Sequence, residues 1–322
     1  MSEHLRPLTF VPQIFPDQTL FSWIWMYHRM SGNASISYSA QQILGATSGK
    51  FHFHIPSHLD HLCLVTEGLL GPPEQVIQNM TVLPAYLWFR TDSLKASIIE
   101  KVRSPNVAGV SQALRLWDQR DYGAIPARCC PSCISADLDD YGMAYWHRKH
   151  QLPGVVVCTT HGEPLYSLPV GPRLANVGRR ANPEHVVVQG ERIQIGGSSS
   201  IDGYVRIAEF SEALAQSMSP DESWATRMRA SCITALYRNG FISDGEPLEP
   251  TRAIALFQTE LYARFSSPDL ASSTLYGASK LLFELIMGHS RTVRAEDYPV
   301  LLGGLFESKE GSGLWLTERR LP

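Results

Sequence analysis

Charge is scarce in this chain. Charged residues fill 18% of its 322 positions, lysine occurs 6 times against 22 arginines, and the net charge is −3. A surface that coats nucleic acid all over is thereby excluded, because non-specific affinity comes from neutralising phosphates. A local basic face remains open. The arginine excess suits bidentate phosphate or base contacts, and a GC-rich genome would produce the same bias. No apolar run reaches the ~20 residues of a membrane span. Met1-Ser2-Glu3-His4 leads into no apolar signal core, so the expectation is a cytoplasmic protein with reduced thiols and no membrane partner. Catalytic signatures are missing too: there is no H-E-x-x-H, no Walker loop, no G-x-S-x-G and no strand-borne G-x-G-x-x-G. What is present, 44% hydrophobic residues over 322 positions, describes a globular chain with enough core for two or three domains.

The cysteines are few but unevenly placed. Of six, four fall in Arg128-Cys129-Cys130-Pro131-Ser132-Cys133 and Val157-Cys158-Thr159-Thr160-His161-Gly162. Two residues lie between Cys130 and Cys133, and two between Cys158 and His161. Zinc takes four tetrahedral ligands from thiolate and imidazole, and each such pair can present two of them. The pattern predicts a structural Zn2+ held by Cys130, Cys133, Cys158 and His161, closed and without an open catalytic position. Cys129 adjoins the first pair and competes with Cys130 for the register; the two-residue spacing favours Cys130. Cys63 and Cys232 sit alone in apolar runs and read as core thiols.

One enzyme reading needs exclusion. Zinc deaminases carry H-x-E followed by P-C-x-x-C, with the glutamate acting on a metal-bound water. His161-Gly162-Glu163 imitates the first half, but the cysteine pair precedes it, the proline lies inside that pair, and Cys158 closes the site. The chain is therefore read as a non-enzyme, with no catalytic residue and no organic cofactor assigned.

The fold class predicted is mainly α with a small β content. An N-terminal helical domain (1–126) opens like a helix-turn-helix: Asp17 is the expected N-cap, Leu20, Trp23, Ile24 and Tyr27 share one face, Gly32 stops the helix, and Ser37 to Leu44 form a second one closed by Gly45. An ordinary helical hairpin fits the same pattern. Further helices are expected from a Ser57 cap through Leu64, from Pro73 to Met80 and from Ser93 to Val102. His52, His54, His58 and His61 look like a metal cluster but lack cysteine partners, and read as surface or satisfied buried imidazoles. A zinc-ribbon or zinc-finger module (127–170) follows, in which Tyr145 and Trp146 should pack on the metal centre. There His147, Arg148, Lys149 and His150 form a basic stripe, solvated or facing phosphate. A hairpin over Val186–Ile195 and a connector at Gly196–Ser200 make up 171–200. The remainder (201–322) should be helical, with helices marked by Trp224, Met228 and Leu236, by Ile254, Phe257, Leu261 and Phe265, and by Leu281, Leu282, Leu285 and Ile286.

Four stretches give the chain a resemblance. The run from Arg128 to Cys133, then Asp137, Tyr141-Gly142, Tyr145-Trp146-His147-Arg148, His150-Gln151-Leu152-Pro153-Gly154, Val157-Cys158 and His161-Gly162 with Leu165, resembles the TniQ/TnsD family. Pro16-Asp17-Gln18-Thr19-Leu20-Phe21-Ser22-Trp23 is similar to that family's opening segment. Gln78-Asn79-Met80-Thr81-Val82 and Tyr298-Pro299-Val300-Leu301-Leu302-Gly303-Gly304-Leu305-Phe306 resemble two more of its stretches. The resemblance implies a transposon target-selection adaptor without chemistry of its own, which recruits an AAA+ transposition regulator (TnsC-like). It implies target DNA as a partner if the chain is of the TnsD kind. It implies a Cascade CRISPR complex, often met as a homodimer, if the chain is of the kind found in CRISPR-associated transposons. A zinc-containing helix-turn-helix transcription regulator is the alternative, and a zinc-dependent hydrolase or deaminase the remote one.

Overall fold

The computed structural model describes residues 6–46, 53–114, 126–168, 182–184, 190–196, 201–217, 224–265, 272–288, 295 and 297–308. The expected residues His52, Val186 to Gln189 and Gly197 to Ser200 lie outside these. The described residues are mostly helical, with one small three-stranded sheet. They fall into two compact units, 1–151 with 166–191, and 152–165 with 192–322.

In the first unit, α1 (Leu20–Ser31) packs on α2 (Ile36–Leu44), α2 on α3 (Leu59–Val65), and α3 on α4 (Pro73–Met80) and α6 (Asp92–Arg103). The short helices α5 (Leu83–Leu87) and α7 (Val110–Leu114) flank α6 in sequence. The apolar face of α1 is buried as its spacing requires: Leu20, Trp23, Ile24 and Tyr27 are all at most 2% exposed. Each such side chain contributes roughly 1.5–3 kcal/mol by leaving water.

The helix starts differently from expectation. Thr19, not Asp17, is the N-cap, its hydroxyl accepting from Ser22 N at 3.2 Å. Asp17 is engaged elsewhere, as described below. At α3 the expected Ser57 cap is also replaced: His58 occupies the N-cap position in the left-handed region, and the Ser57 hydroxyl bonds its Nδ1 at 2.9 Å. Helix α4 matches the expected span, and α6 exceeds its own by one residue at each end.

Strand β1 (Ala127–Cys129) pairs antiparallel with β2 (Tyr166–Leu168), Arg128 opposite Ser167, and β3 (Glu191–Arg192) completes the sheet in the order β1-β2-β3. Between β1 and β2 lie α8 (Pro131–Tyr141) and a 3₁₀ turn, Lys149–Gln151.

The second unit holds α9 (Ile201–Gln216), α10 (Trp224–Arg238), α11 (Pro250–Arg264), α12 (Ser272–Ile286) and α13 (Asp297–Leu305). The three helices expected there are present, and α9 and α13 are additional. Helix α13 is buried on every side, which erases the amphipathic period that would announce it. It packs against α9, α10 and α12. A Cβ at Gly303 would lie 2.6 Å from Ile207 Cγ1 and 3.0 Å from Ile207 N, so only glycine allows this approach. Gly303→Ala should therefore force α13 off α9 and lower stability by about 1–3 kcal/mol. Urea unfolding checks this; an unchanged midpoint would contradict the contact.

Candidate metal centre

The first pair of the centre is built at the start of α8. Cys130 is the N-cap, with extended backbone (φ −108°, ψ 127°), and its Sγ accepts from Cys133 N at 3.3 Å. Pro131 at the first helical position needs no hydrogen-bond partner for its nitrogen, so the proline inside the pair is a helix-start device. The helix N-terminus also favours negative charge, and so the thiolate form.

The second pair sits on a tight loop. Cys158 N donates to Glu163 O at 2.9 Å, Gly162 N donates to Cys158 O at 2.8 Å, and Val157 bridges Pro164. Gly162 takes φ +63°, a conformation that disfavours a side chain although there is space for one. The loop is tied down from its own unit: Thr159 Oγ1 donates to Glu212 Oε1 at 2.6 Å, and Ser211 Oγ to Pro153 O at 2.7 Å, both acceptor and donor partners on α9 lying one residue apart.

Cys130, Cys133, Cys158 and His161 bring one ligand atom each within 4.8 Å of one another. The three cysteines are buried and His161 is exposed. Cys158 Sγ lies 3.6 Å from His161 Nδ1. A tetrahedral ion with Zn–S near 2.3 Å and Zn–N near 2.0 Å would set sulfur and nitrogen about 3.5 Å apart, so this donor set fits such an ion. The cluster can hold a metal ion.

Cys129 is outside the cluster. Its thiol points to Pro183 O at 3.8 Å, and burial, followed by the neighbouring Cys133, pushes its pKa up to about 12. Cys232 is fully buried and pushed up to about 12 by that burial, as a core thiol should be. Cys63 is only half-buried, a correction to the core reading, although burial and then Asp60 still raise it to about 11. His58 is buried, while His54 and His61 are half-buried, the His61 pKa being lowered by desolvation. None of these three joins a metal-ligand group among the described residues.

The residues between the two pairs do not face solvent or phosphate as a basic stripe. His150 is 1% exposed and Arg148 8%. Arg148 Nε donates to Asp17 Oδ1 at 3.2 Å, and its Nη1 to Gln78 O at 3.0 Å. Asp17 Oδ2 also accepts from Lys149 N at 2.9 Å. His147 Nε2 lies 3.0 Å from Asp137 Oδ2, a buried carboxylate on α8. Two members of the stripe are thus engaged by carboxylates, Arg148 by Asp17 and His147 by Asp137, which single-residue charge counting does not reveal.

Tyr145 and Trp146 face the N-terminal segment. Trp146 N donates to Ser22 Oγ at 3.1 Å, Trp146 O accepts from Thr19 N at 2.9 Å, and its ring meets Phe53 edge-on. Tyr145 stacks on His147, packs beside Phe15, and donates its hydroxyl to Pro16 O at 3.0 Å. Burial, then the nearby Asp137, raises the Tyr145 pKa, so the hydroxyl stays protonated. Gln151 was not singled out from its chemistry, yet it is fully buried and its side chain caps β1. It accepts from Arg128 N at 3.0 Å and donates to Arg128 O at 2.7 Å.

Residues 9–165 match the TniQ family model. The transposon Tn7 transposition protein TnsD of Escherichia coli is 28% identical over 89 residues, a stretch covering 28% of this chain and 18% of that relative. The match to the family model takes in α1, the Asp17–Arg148 pair, and all four clustered side chains. Residues 9–165 of this chain are a TniQ domain.

Proposed function

We propose that this chain is a target-selection adaptor in transposition, whose Cys130, Cys133, Cys158 and His161 hold a structural Zn2+. The observation that carries the reading is the TniQ match over 9–165, which ends just past the four-residue cluster. The similarity to TnsD supports the same role. Zinc bound there would neutralise buried thiolates and fix the short turns on which they stand. The chain's own residues then act by position: Trp146, Arg148 and Tyr145 hold the N-terminal helices on the segment that carries the cluster.

The partners of this reading are a TnsC-like AAA+ regulator and target DNA or a Cascade complex, with two copies of the chain as one arrangement. The internal engagement of Arg148 by Asp17 and of His150 by Cys133 supports a scaffolding role for this segment. The role is non-catalytic.

The test is co-purification of the full chain with the AAA+ protein of its own element, alongside duplex binding across a salt series. Direct reading of DNA predicts an affinity that falls by roughly 10³ or more between 50 and 200 mM salt. Docking on Cascade predicts co-purification with that complex and no specific duplex binding. Promoter binding without contact to the ATPase would overturn the adaptor reading in favour of a transcription regulator. Turnover of a nucleobase by the zinc-loaded protein would overturn the non-catalytic one.

A further inference from the structure

His150 stands in the same segment as the cluster but is not one of its four mutually close ligands. Its Nε2 lies 3.8 Å from Cys133 Sγ, within hydrogen-bond reach for sulfur. Both partners are buried, His150 at 1% and Cys133 at 5% exposure. Three thiolates and a neutral imidazole around Zn2+ carry a net charge of about −1, which in a buried place requires N–H donors aimed at sulfur. Cys130 Sγ already has one such donor, Cys133 N at 3.3 Å. Cys133 Sγ has the His150 ring.

We infer that His150 is a positioning residue of the metal centre, carrying its proton on Nε2 and donating it to the Cys133 sulfur. This rests on the zinc reading above. The hydrogen bond draws charge from the thiolate, which slows its attack on electrophiles and its loss of metal. Groups that hold a ligand from outside the coordination sphere typically change metal affinity by about 10–100-fold. The ring is itself held in place, meeting His147 at a centroid distance of 5.2 Å, while His147 is fixed by Asp137. The surroundings therefore orient the donor before any metal arrives.

The experiment uses the full chain. Metal content of the wild-type protein comes first: absence of one equivalent of zinc would defeat the zinc reading itself. With zinc present, His150→Phe should release it to a chelator about 10-fold faster or more, and His150→Gln, which keeps an N–H donor, should restore most of the difference. In cobalt-loaded protein the sulfur-to-metal charge-transfer band should shift in His150→Phe and return towards wild type in His150→Gln. A second measurement needs no variant: cadmium-loaded wild-type protein should show scalar coupling between the metal and the His150 ring proton across the sulfur. Equal release rates in both variants, an unmoved band, or a ring proton uncoupled from cadmium would overturn the inference. X-ray absorption showing two imidazoles bound to zinc would overturn it as well, since His150 would then be a ligand.

Discussion

Cys133→Ser and Cys158→Ser are each expected to leave the protein without its metal and to loosen the segment from β1 to β2. Structural zinc contributes roughly 10–16 kcal/mol of apparent binding free energy in small modules. Losing one of four ligands should remove at least about 3 kcal/mol of that from folding, or roughly 6–12 °C of Tm for a unit of this size. The unbound state adds its own penalty, because buried thiolates then lie together without a cation and must protonate. Mass spectrometry of metal content and thermal unfolding give the two readouts. Cys129→Ser is the control: that thiol lies 3.8 Å from Pro183 O and is outside the cluster, so zinc content should stay at one equivalent. Two serine variants that both keep full metal content would refute the ligand set. A chelator applied to wild-type protein should reproduce their loss of Tm.

Why the cluster was legible and much else was not is a matter of range. Two residues between Cys130 and Cys133, and two between Cys158 and His161, are local spacings that a turn or a helix start converts directly into geometry. The apolar stripe of α1 was legible for the same reason, since a 3.6-residue period needs no knowledge of the partner. Asp17 failed as a cap because its carboxylate answers a demand from Arg148 and Lys149, 131 and 132 positions away. No local rule reports that. Thr19 was equally good cap chemistry and had no rival claim upon it. Likewise, four consecutive residues from His147 to His150 read as a basic surface, but Asp17 and Asp137 turn two of them inward. The missing helices show the opposite limit. Helix α13 carries Val300, Leu301 and Leu302 fully buried together with Gly303 and Gly304, so its polar face, by which a helix is usually recognised, does not exist.

The inward-turned arginine gives the second large effect. Arg148→Met should destabilise the first unit by about 2–4 kcal/mol, below the range for a fully buried pair because Asp17 keeps partial access to water. The side chain of Arg148 is 9% exposed and that of Asp17 25%. Removing the guanidinium leaves the Asp17 carboxylate with Lys149 N alone and takes a donor from Gln78 O. Metal content should not change, since no cluster ligand is touched; this separates loss of docking from loss of zinc. The double variant Asp17→Asn with Arg148→Met removes the stranded charge as well, so it should be less destabilised than the sum of the singles by about 1–3 kcal/mol. Hydrogen exchange locates the effect: amides of α1 should lose protection, because Thr19 N and Ser22 Oγ hold Trp146 next to this ion pair. Simple additivity, or α1 amides protected as in wild type, would mean that Arg148 is only a surface cation with a crowded side chain. The expected outcome instead makes the opening Pro16-Asp17 and the distant Trp146-His147-Arg148 one interaction. A TniQ domain would then need both ends of residues 9–165 to form its helices and its metal-bearing segment together.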